Sequence, residues 1–169
     1  VPMVSSNSPV CADSTLFLTS STATPGVTYS WSGPSGFTST LQNPSIPSVT
    51  ATTAGTYSVT VRIGTCTSTA STVVSINVTP TPILGSNSPV CSGGSLNLTA
   101  TGLPGSTFAW SGPLGFTSTL QYPSISPAIT SNSGTYSVVV TLAGCPSQIV
   151  TINTVVDSTP EVPVVSTNS

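Results

Sequence analysis

The stretch from Trp31 to Ile46, WSGPSGFTSTLQNPSI, returns as WSGPLGFTSTLQYPSI from Trp110 to Ile125. Fourteen of the sixteen positions are identical, and a return at fixed spacing is typical of a repeat architecture. Neither copy contains a charged residue, a His or a Cys. Each contains a Trp, turn signals built from Gly and Pro, and a Phe, so the repeated segment predicts a shared architecture rather than a shared chemistry.

The residues around this segment repeat as well and divide the chain into modules. Residues 4–8, VSSNS, match residues 84–88, LGSNS, and residues 165–169, VSTNS, match both. We therefore predict a first module over residues 1–80, a second over 81–163, and the start of a third repeat at 164–169. The Pro-containing run TPTP at 79–82 is typical of a short, stiff linker.

Within each module the apolar residues alternate, as expected for short strands with one buried face. No stretch keeps an apolar period of 3.6 residues for three turns, so we predict no helix. About seven short strands at regular spacing indicate an all-β fold of two tandem antiparallel sandwiches. In the first module the predicted strands are residues 16–19, 27–31, 37–42, 45–49, 54–61 and 72–78.

Four cysteines fall as one pair in each module. Four cysteines allow three connectivities, and only pairing within each module gives both modules the same disulfide. We therefore predict the disulfides Cys11–Cys66 and Cys91–Cys145. On the chain-entropy model each would stabilise its module by roughly 4 kcal/mol. Disulfides place the modules outside the reducing cytosol, whereas two free buried thiols in each module would be the alternative.

Charge is nearly absent. Arg62 is the only base, Asp13, Asp157 and Glu161 are the only acids, and 62 of 169 residues are Ser or Thr. Such a surface offers no basic footprint for nucleic acid and no cationic face for a membrane. No apolar run is long enough to span a bilayer. Without His or Lys, a Ser nucleophile has no ordinary general base, so we expect no enzyme, no metal site and no cofactor.

Several positions resemble the immunoglobulin-like (Ig-like) plan. Leu18, Trp31 and Val59 stand at the spacing of its core Cys, Trp and Cys, and Gly-Thr-Tyr ending at Tyr57 resembles its tyrosine corner. The expected core signature consists of eight residues: Leu18, Trp31, Tyr57, Val59, Leu98, Trp110, Tyr136 and Val138. The chain departs from the plan because Leu and Val replace the inter-sheet cysteines.

A longer string of motifs is more specific than these single positions. It runs Pro-Val-Cys, Leu-x-Leu-Thr, Trp-Ser-Gly-Pro-x-Gly-Phe, Gln-x-Pro-Ser-Ile, Gly-Thr-Tyr-Ser-Val and a closing Cys. This string resembles the tandem Ig-like and PKD-like repeats of giant Bacteroidetes surface adhesins, including gliding adhesins, which the type IX route secretes. The resemblance implies an extracellular filament or adhesin shaft whose partners are neighbouring repeats. The low charge adds an expectation that copies of the fibre associate laterally.

Two further kinds of site can be weighed. Trp31 and Trp110 could form a sugar-stacking platform, which makes an array of carbohydrate-binding modules the alternative function, but we favour their assignment as core Trp residues that pack against both sheets. The triplets Asp13-Ser14-Thr15 and Asp157-Ser158-Thr159 resemble a Bacteroidetes O-glycosylation signal. They make Ser14 and Ser158 candidate glycan acceptors, against a reading as ordinary loop residues.

Overall fold

A computed structural model describes residues 1–161. The chain divides into Val1–Thr79 and a second unit that begins at Pro80, called module 1 and module 2 below. The boundary falls within the Pro-containing run. The expected start of a third repeat at 164–169 lies outside the described residues.

Module 1 contains nine strands and two short 3-10 turns. The turns are Pro34–Gly36 and Ala51–Thr53. The strands are β1 (Met3–Ser6), β2 (Val10–Cys11), β3 (Leu16–Ser21), β4 (Thr28–Ser32), β5 (Thr38–Ser39), β6 (Ser45–Ile46), β7 (Gly55–Ile63), β8 (Cys66–Val74) and β9 (Ile76–Asn77).

Module 2 follows the same order, with 3-10 turns at Pro113–Gly115 and Thr130–Asn132. Its strands are β10 (Leu84–Ser86), β11 (Val90–Cys91), β12 (Leu96–Ala100), β13 (Thr107–Ser111), β14 (Thr117–Ser118), β15 (Ser124–Ile125), β16 (Gly134–Leu142), β17 (Cys145–Pro146), β18 (Val150–Thr154) and β19 (Val156–Asp157).

Each module is a sandwich of antiparallel sheets. In module 1 one sheet has the order β1-β3-β6 and the other the order β5-β4-β7-β8. In module 2 the sheets are β10-β12-β15 and β14-β13-β16, and β17 and β18 both pair with β16. A short parallel pair, β2 with β9 and β11 with β19, holds the end of each module to its beginning.

The core of each sandwich follows from the period of two along its strands. In β3 the residues Leu16, Leu18 and Ser20 are buried, while Phe17 and Thr19 are exposed. The inward Leu side chains meet the inward face of the opposite sheet, where Trp31 and Val59 lie directly opposite each other on β4 and β7. The alternating sequence therefore places the core between the two sheets.

Three strand predictions need correction. The last long strand of module 1 begins at Cys66 and ends at Val74, not at residues 72–78. Its first six residues, CTSTAS, are rich in hydroxyls and resemble a turn in sequence, but each of them pairs with β7. The predicted strands at 37–42 and 45–49 are two-residue strands, since the chain there crosses between the sheets.

Candidate functional site

The repeated Trp and Tyr form the centre of module 1. Trp31 is 1% exposed, and its indole N–H donates to the carbonyl oxygen of Leu41 at 3.0 Å. Tyr57 is fully buried, and its hydroxyl donates to the carbonyl oxygen of Thr53 at 2.8 Å. Both polar atoms are thus satisfied by backbone carbonyls, as buried Trp and Tyr require.

Module 2 forms the same contacts. The indole N–H of Trp110 donates to the carbonyl oxygen of Leu120 at 3.0 Å, and the hydroxyl of Tyr136 donates to the carbonyl oxygen of Asn132 at 2.9 Å. Each Tyr reaches back four residues to the backbone, the geometry of a tyrosine corner. The remaining four signature residues are also buried: Leu18, Val59, Leu98 and Val138.

The Phe of the repeated stretch packs against this Tyr. The ring centroids of Phe37 and Tyr57 lie 5.5 Å apart in an edge-on arrangement, as do those of Phe116 and Tyr136 at 5.4 Å. Such pairs add stabilisation beyond their buried area. The Gly of Trp-Ser-Gly also lies against each Tyr ring, because a Cβ built on Gly33 would overlap the ring of Tyr57, and one built on Gly112 would overlap that of Tyr136.

These contacts decide how the aromatic residues can be used. A sugar stacks on an exposed ring face, and the rings of Trp31 and Trp110 are buried inside their modules. Tyr122, which is 64% exposed, occupies the position of Asn43 in module 1 and so is not shared by the two modules. The repeated aromatic residues therefore serve the core.

Burial also changes the titration of the two corner tyrosines. Desolvation raises the pKa of Tyr57 and of Tyr136 above the ordinary value of 10.0, because a buried phenolate loses its hydration. Both phenols thus stay protonated, as hydrogen-bond donors, throughout the physiological range.

The two cysteines of module 1 lie at opposite ends of the sandwich. Cys66 follows the hairpin turn and pairs with Ile63. A shallow surface depression is lined by Ile63 and Cys66 together with Val1 and Pro2, so this is the end at which the chain enters the module. We call it the N pole.

Cys11 lies beside Asn77 in the β2–β9 pair. Nearby, the hydroxyl of Thr79 donates to the carbonyl oxygen of Ala12 at 3.2 Å, so the chain leaves the module here. We call this end the C pole. Between the two poles runs β8, whose nine residues span roughly 26 Å at about 3.3 Å per residue.

Module 2 has the same arrangement. Cys145 pairs with Leu142 at the turn between β16 and β17. The preceding residue of β16, Thr141, pairs with Thr107 at the start of β13, so this turn lies beside the start of β13. The loop before β13 begins at the end of β12, where Ala100 pairs with Leu84 as the chain enters. Cys145 therefore lies at the N pole.

Cys91 lies beside Asp157 in the β11–β19 pair, where module 2 ends. It therefore lies at the C pole of module 2, as Cys11 does in module 1. Each module thus carries one cysteine at each pole.

The predicted disulfides Cys11–Cys66 and Cys91–Cys145 are wrong for this structure. Cys66 and Cys91 are free and exposed, whereas Cys11 and Cys145 are disulfide-bonded. The reason is distance, because the Cα atoms of a disulfide lie within about 7 Å of each other and the cysteines of one module lie at opposite poles. Cys11 does not lie where the chain enters the module, because the chain first crosses the sandwich in β1.

The two candidate glycosylation sites lie on the surface. Ser14 is exposed in the turn after β2, and Ser158 is exposed just after β19. Asp13 has a φ of 65° and donates its backbone N–H to the carbonyl oxygen of Val49 at 2.8 Å. Gly93 occupies the same turn position in module 2 with a φ of 91°, so Asp13 is explained as a turn residue. Modification of either Ser stays a prediction.

Asn7 and Asn87 are structural residues that were not predicted from the sequence. The side chain of Asn7 donates to the carbonyl oxygen of Thr15 and accepts from the backbone N–H of Phe17 at 2.9 Å. Asn87 does the same with Ser95 and Asn97. These side chains extend the β1–β3 and β10–β12 ladders, and the repeated Ser-Asn-Ser-Pro was the signal.

Other kinds of site can be checked in the part of the chain that the structure describes. Residues 1–161 contain no helix long and apolar enough to cross a membrane. Over the same residues, no three His, Cys, Asp or Glu side chains cluster in a way that could hold a metal ion.

Comparison with known proteins agrees with this geometry. Residues 1–80 match a family model described as an Ig-like domain, CHU_C associated. The chain aligns with part of a structure of the N-terminal eight Ig domains of Down Syndrome Cell Adhesion Molecule, at a TM-score of 0.58 and 15% identity, covering 95% of this chain and 25% of that one. Both modules are Ig-like sandwiches.

Two further structures show the same fold. The I67–I69 fragment of titin matches with a TM-score of 0.52 and 12% identity, over 93% of this chain and 65% of that one. Murine CEACAM1b matches with a TM-score of 0.50 and 14% identity, over 92% of this chain and all of that one. No curated protein matches the sequence. Ig-like families are typically non-enzymatic structural modules, and the Ig-like fold with a disulfide indicates a secreted or extracellular domain.

Proposed function

We propose that the chain supplies two structural modules to the shaft of an extracellular filament or giant cell-surface adhesin. The observation that supports this most is where the repeated residues lie. Trp31, Tyr57 and their counterparts in module 2 are buried and bonded to their own backbone. The repeat therefore preserves a building block, whereas a repeated binding site would keep its best-matched residues on the surface.

The path of the chain through each module suits a shaft. The chain enters at the N pole and leaves at the C pole, so each added module of this kind lengthens the protein. Strands of this length, together with the turns at both poles and the linker, give an expected repeat of about 35–40 Å per module. The Pro-containing run at 79–82 has the composition of a short, stiff linker.

The surface suits association between neighbouring shafts. Exposed hydroxyls on β7 and β8 bond to each other, as Thr60 and Thr69 do at 3.1 Å. When another copy covers such a face, its hydroxyls exchange hydrogen bonds to water for hydrogen bonds to other hydroxyls. This avoids the large desolvation cost of burying Lys or Glu side chains. Lateral contact between copies of the fibre is therefore part of the proposal.

Two experiments test it. Immunogold labelling of the producing cells, with antibody raised against this chain, should decorate structures outside the cell. Electron microscopy of chains built from two, four and six modules should show lengths that grow by about 35–40 Å per module. Label confined to the cytosol, or particles whose length does not grow, would overturn the proposal. Specific retention of the chain on a polysaccharide would favour a carbohydrate-binding array.

A further inference from the structure

The four cysteines form two kinds, one at each pole. Cys66 and Cys145 follow the hairpin turn at the N pole, and Cys11 and Cys91 lie in the short parallel pair at the C pole. Within a module the two kinds are separated by the length of the sandwich. No module can therefore close its own pair.

In the structure, one cysteine of each kind takes part in a disulfide. Cys11, a C-pole cysteine, and Cys145, an N-pole cysteine, are disulfide-bonded. Cys66 is the counterpart of Cys145, and Cys91 is the counterpart of Cys11. The two exposed free thiols are thus one of each kind, at positions whose counterparts in the other module carry a disulfide.

We infer that Cys66 and Cys91 join copies of this chain into a linear covalent polymer, through a disulfide from the N-pole Cys66 of one copy to the C-pole Cys91 of the next. The partner is a second copy of this chain because it presents the complementary kind of cysteine. Both thiols are exposed, so the bond can form without opening either core.

The chemistry is thiol–disulfide exchange with a small-molecule disulfide such as oxidised glutathione. The thiolate of one cysteine attacks a glutathione sulfur, which forms a mixed disulfide and releases one glutathione thiolate. The cysteine thiolate of the second copy then attacks the protein sulfur of the mixed disulfide and releases the other glutathione. Two protein thiols are oxidised, one glutathione disulfide is reduced to two thiols, and the two thiol protons pass to solvent or to the released thiolates.

The test uses the 169-residue chain at high concentration in a glutathione redox buffer. Nonreducing electrophoresis of the wild type should show a ladder of oligomers that collapses to monomer with dithiothreitol. C66S alone and C91S alone should each remain monomeric, because each retains a free thiol at only one pole. An equal mixture of the two variants should give a dimer and nothing larger, and a Cys66–Cys91 peptide should be found in it.

The other outcomes each overturn the inference. Dimers in either single variant alone would show pairing between cysteines of the same kind. A wild-type chain that stays monomeric without free thiols would show closure within one chain, and one that stays monomeric with two free thiols would show that no bond forms. Both substitutions lie at exposed positions, and thermal melts of the two variants matching the wild type would confirm that the fold is intact. The result does not depend on whether the natural assembly is a filament.

Discussion

The two modules differ most in the hairpin that closes each of them. In module 1, β7 pairs with β8 without interruption from Gly55 to Ile63. In module 2, β16 meets β17 and then β18, so two residues of β16 face residues 147–149 and one extra residue bulges out. By contrast, the Trp indole bonds of the two modules are equal in length, at 3.0 Å.

The bulge accommodates one additional residue, since Thr154 lies nine positions after Cys145, whereas its counterpart Val74 lies eight positions after Cys66. A proline lies next to it. Pro146 has no backbone N–H and stands where module 1 has Thr67 in the ladder. Ser147 restores the pairing, since its backbone N–H donates to the carbonyl oxygen of Val140 at 2.8 Å and its hydroxyl accepts from the N–H of Val140 at 3.0 Å. The comparison shows that the repeated stretch fixes the buried contacts, while the N-pole hairpin accepts sequence change.

We expect the largest loss of stability from substitutions at the buried contacts that the two modules share. Gly33→Ala places a methyl group in the ring of Tyr57, and Gly112→Ala does the same with Tyr136. Each should lower the free energy of unfolding of its own module by about 3 kcal/mol, the upper range of overpacking. Hydrogen exchange of peptides from β7 and β16, read by mass spectrometry, measures the two modules separately.

The exposed neighbour Ser32 supplies the control, since Ser32→Ala adds nothing to the core. Effects on the two modules that differ by more than about 1 kcal/mol would show that the common contacts are not equivalent.

The next effect tests the part in which the modules differ. Ser147→Ala leaves the N–H of Val140 without its hydroxyl acceptor, which should cost module 2 about 1–2 kcal/mol of unfolding free energy. Its counterpart Ser68 faces Val61 in the uninterrupted ladder, and Ser68→Ala should change module 1 by less than about 0.5 kcal/mol. Equal effects at both positions, measured by the same exchange experiment, would mean that Ser147 does not support the bulge.

A smaller effect concerns one buried hydroxyl. The Oγ of Ser20 is buried without a hydrogen-bond partner, and module 2 has Ala100 at this position. Ser20→Ala should therefore raise the unfolding free energy of module 1 by about 1 kcal/mol, and Ala100→Ser should lower that of module 2 by a similar amount. Urea denaturation of both variants checks the pair. A destabilising Ser20→Ala would indicate that the hydroxyl has a partner.

The sequence predicts a residue's role well where that role depends on its near neighbours in the chain. The alternation around Leu16 and Leu18, and the Gly-Thr-Tyr before Tyr57, are local signals, and the Ig-like sandwich follows from them. The cysteine pairing is not local. It depends on which pole each cysteine reaches, and therefore on the unpredicted extension of β8 back to Cys66. Sequence analysis favoured pairing within each module over the two connectivities that join different modules, because only the former repeats with the module.

The smallest effect is that of pH. The raised pKa values of Tyr57 and Tyr136 mean that the folded state holds its phenolic protons after the unfolded state has lost them. The stability linked to these groups is complete below pH 10.0, the unfolded value, and is lost as pH rises through the folded values. With three acidic side chains in the chain, stability should be nearly flat from about pH 3 to 9.

Thermal melts across this range check the pH profile. A Tyr57→Phe, Tyr136→Phe double variant should show a weaker decline above pH 10.0, because it lacks both groups. A steep loss of stability below about pH 5 would instead reveal a carboxylate that supports the fold.

The position of the cysteines at opposite poles is tested most directly by mapping the thiols of the oxidised monomer. Alkylation before reduction should label Cys66 and Cys91, and a second reagent applied after reduction should label Cys11 and Cys145. Tandem mass spectrometry of the digested monomer reads both labels. Disulfide-linked peptides that join Cys11 with Cys66, or Cys91 with Cys145, would contradict the account and restore pairing within each module.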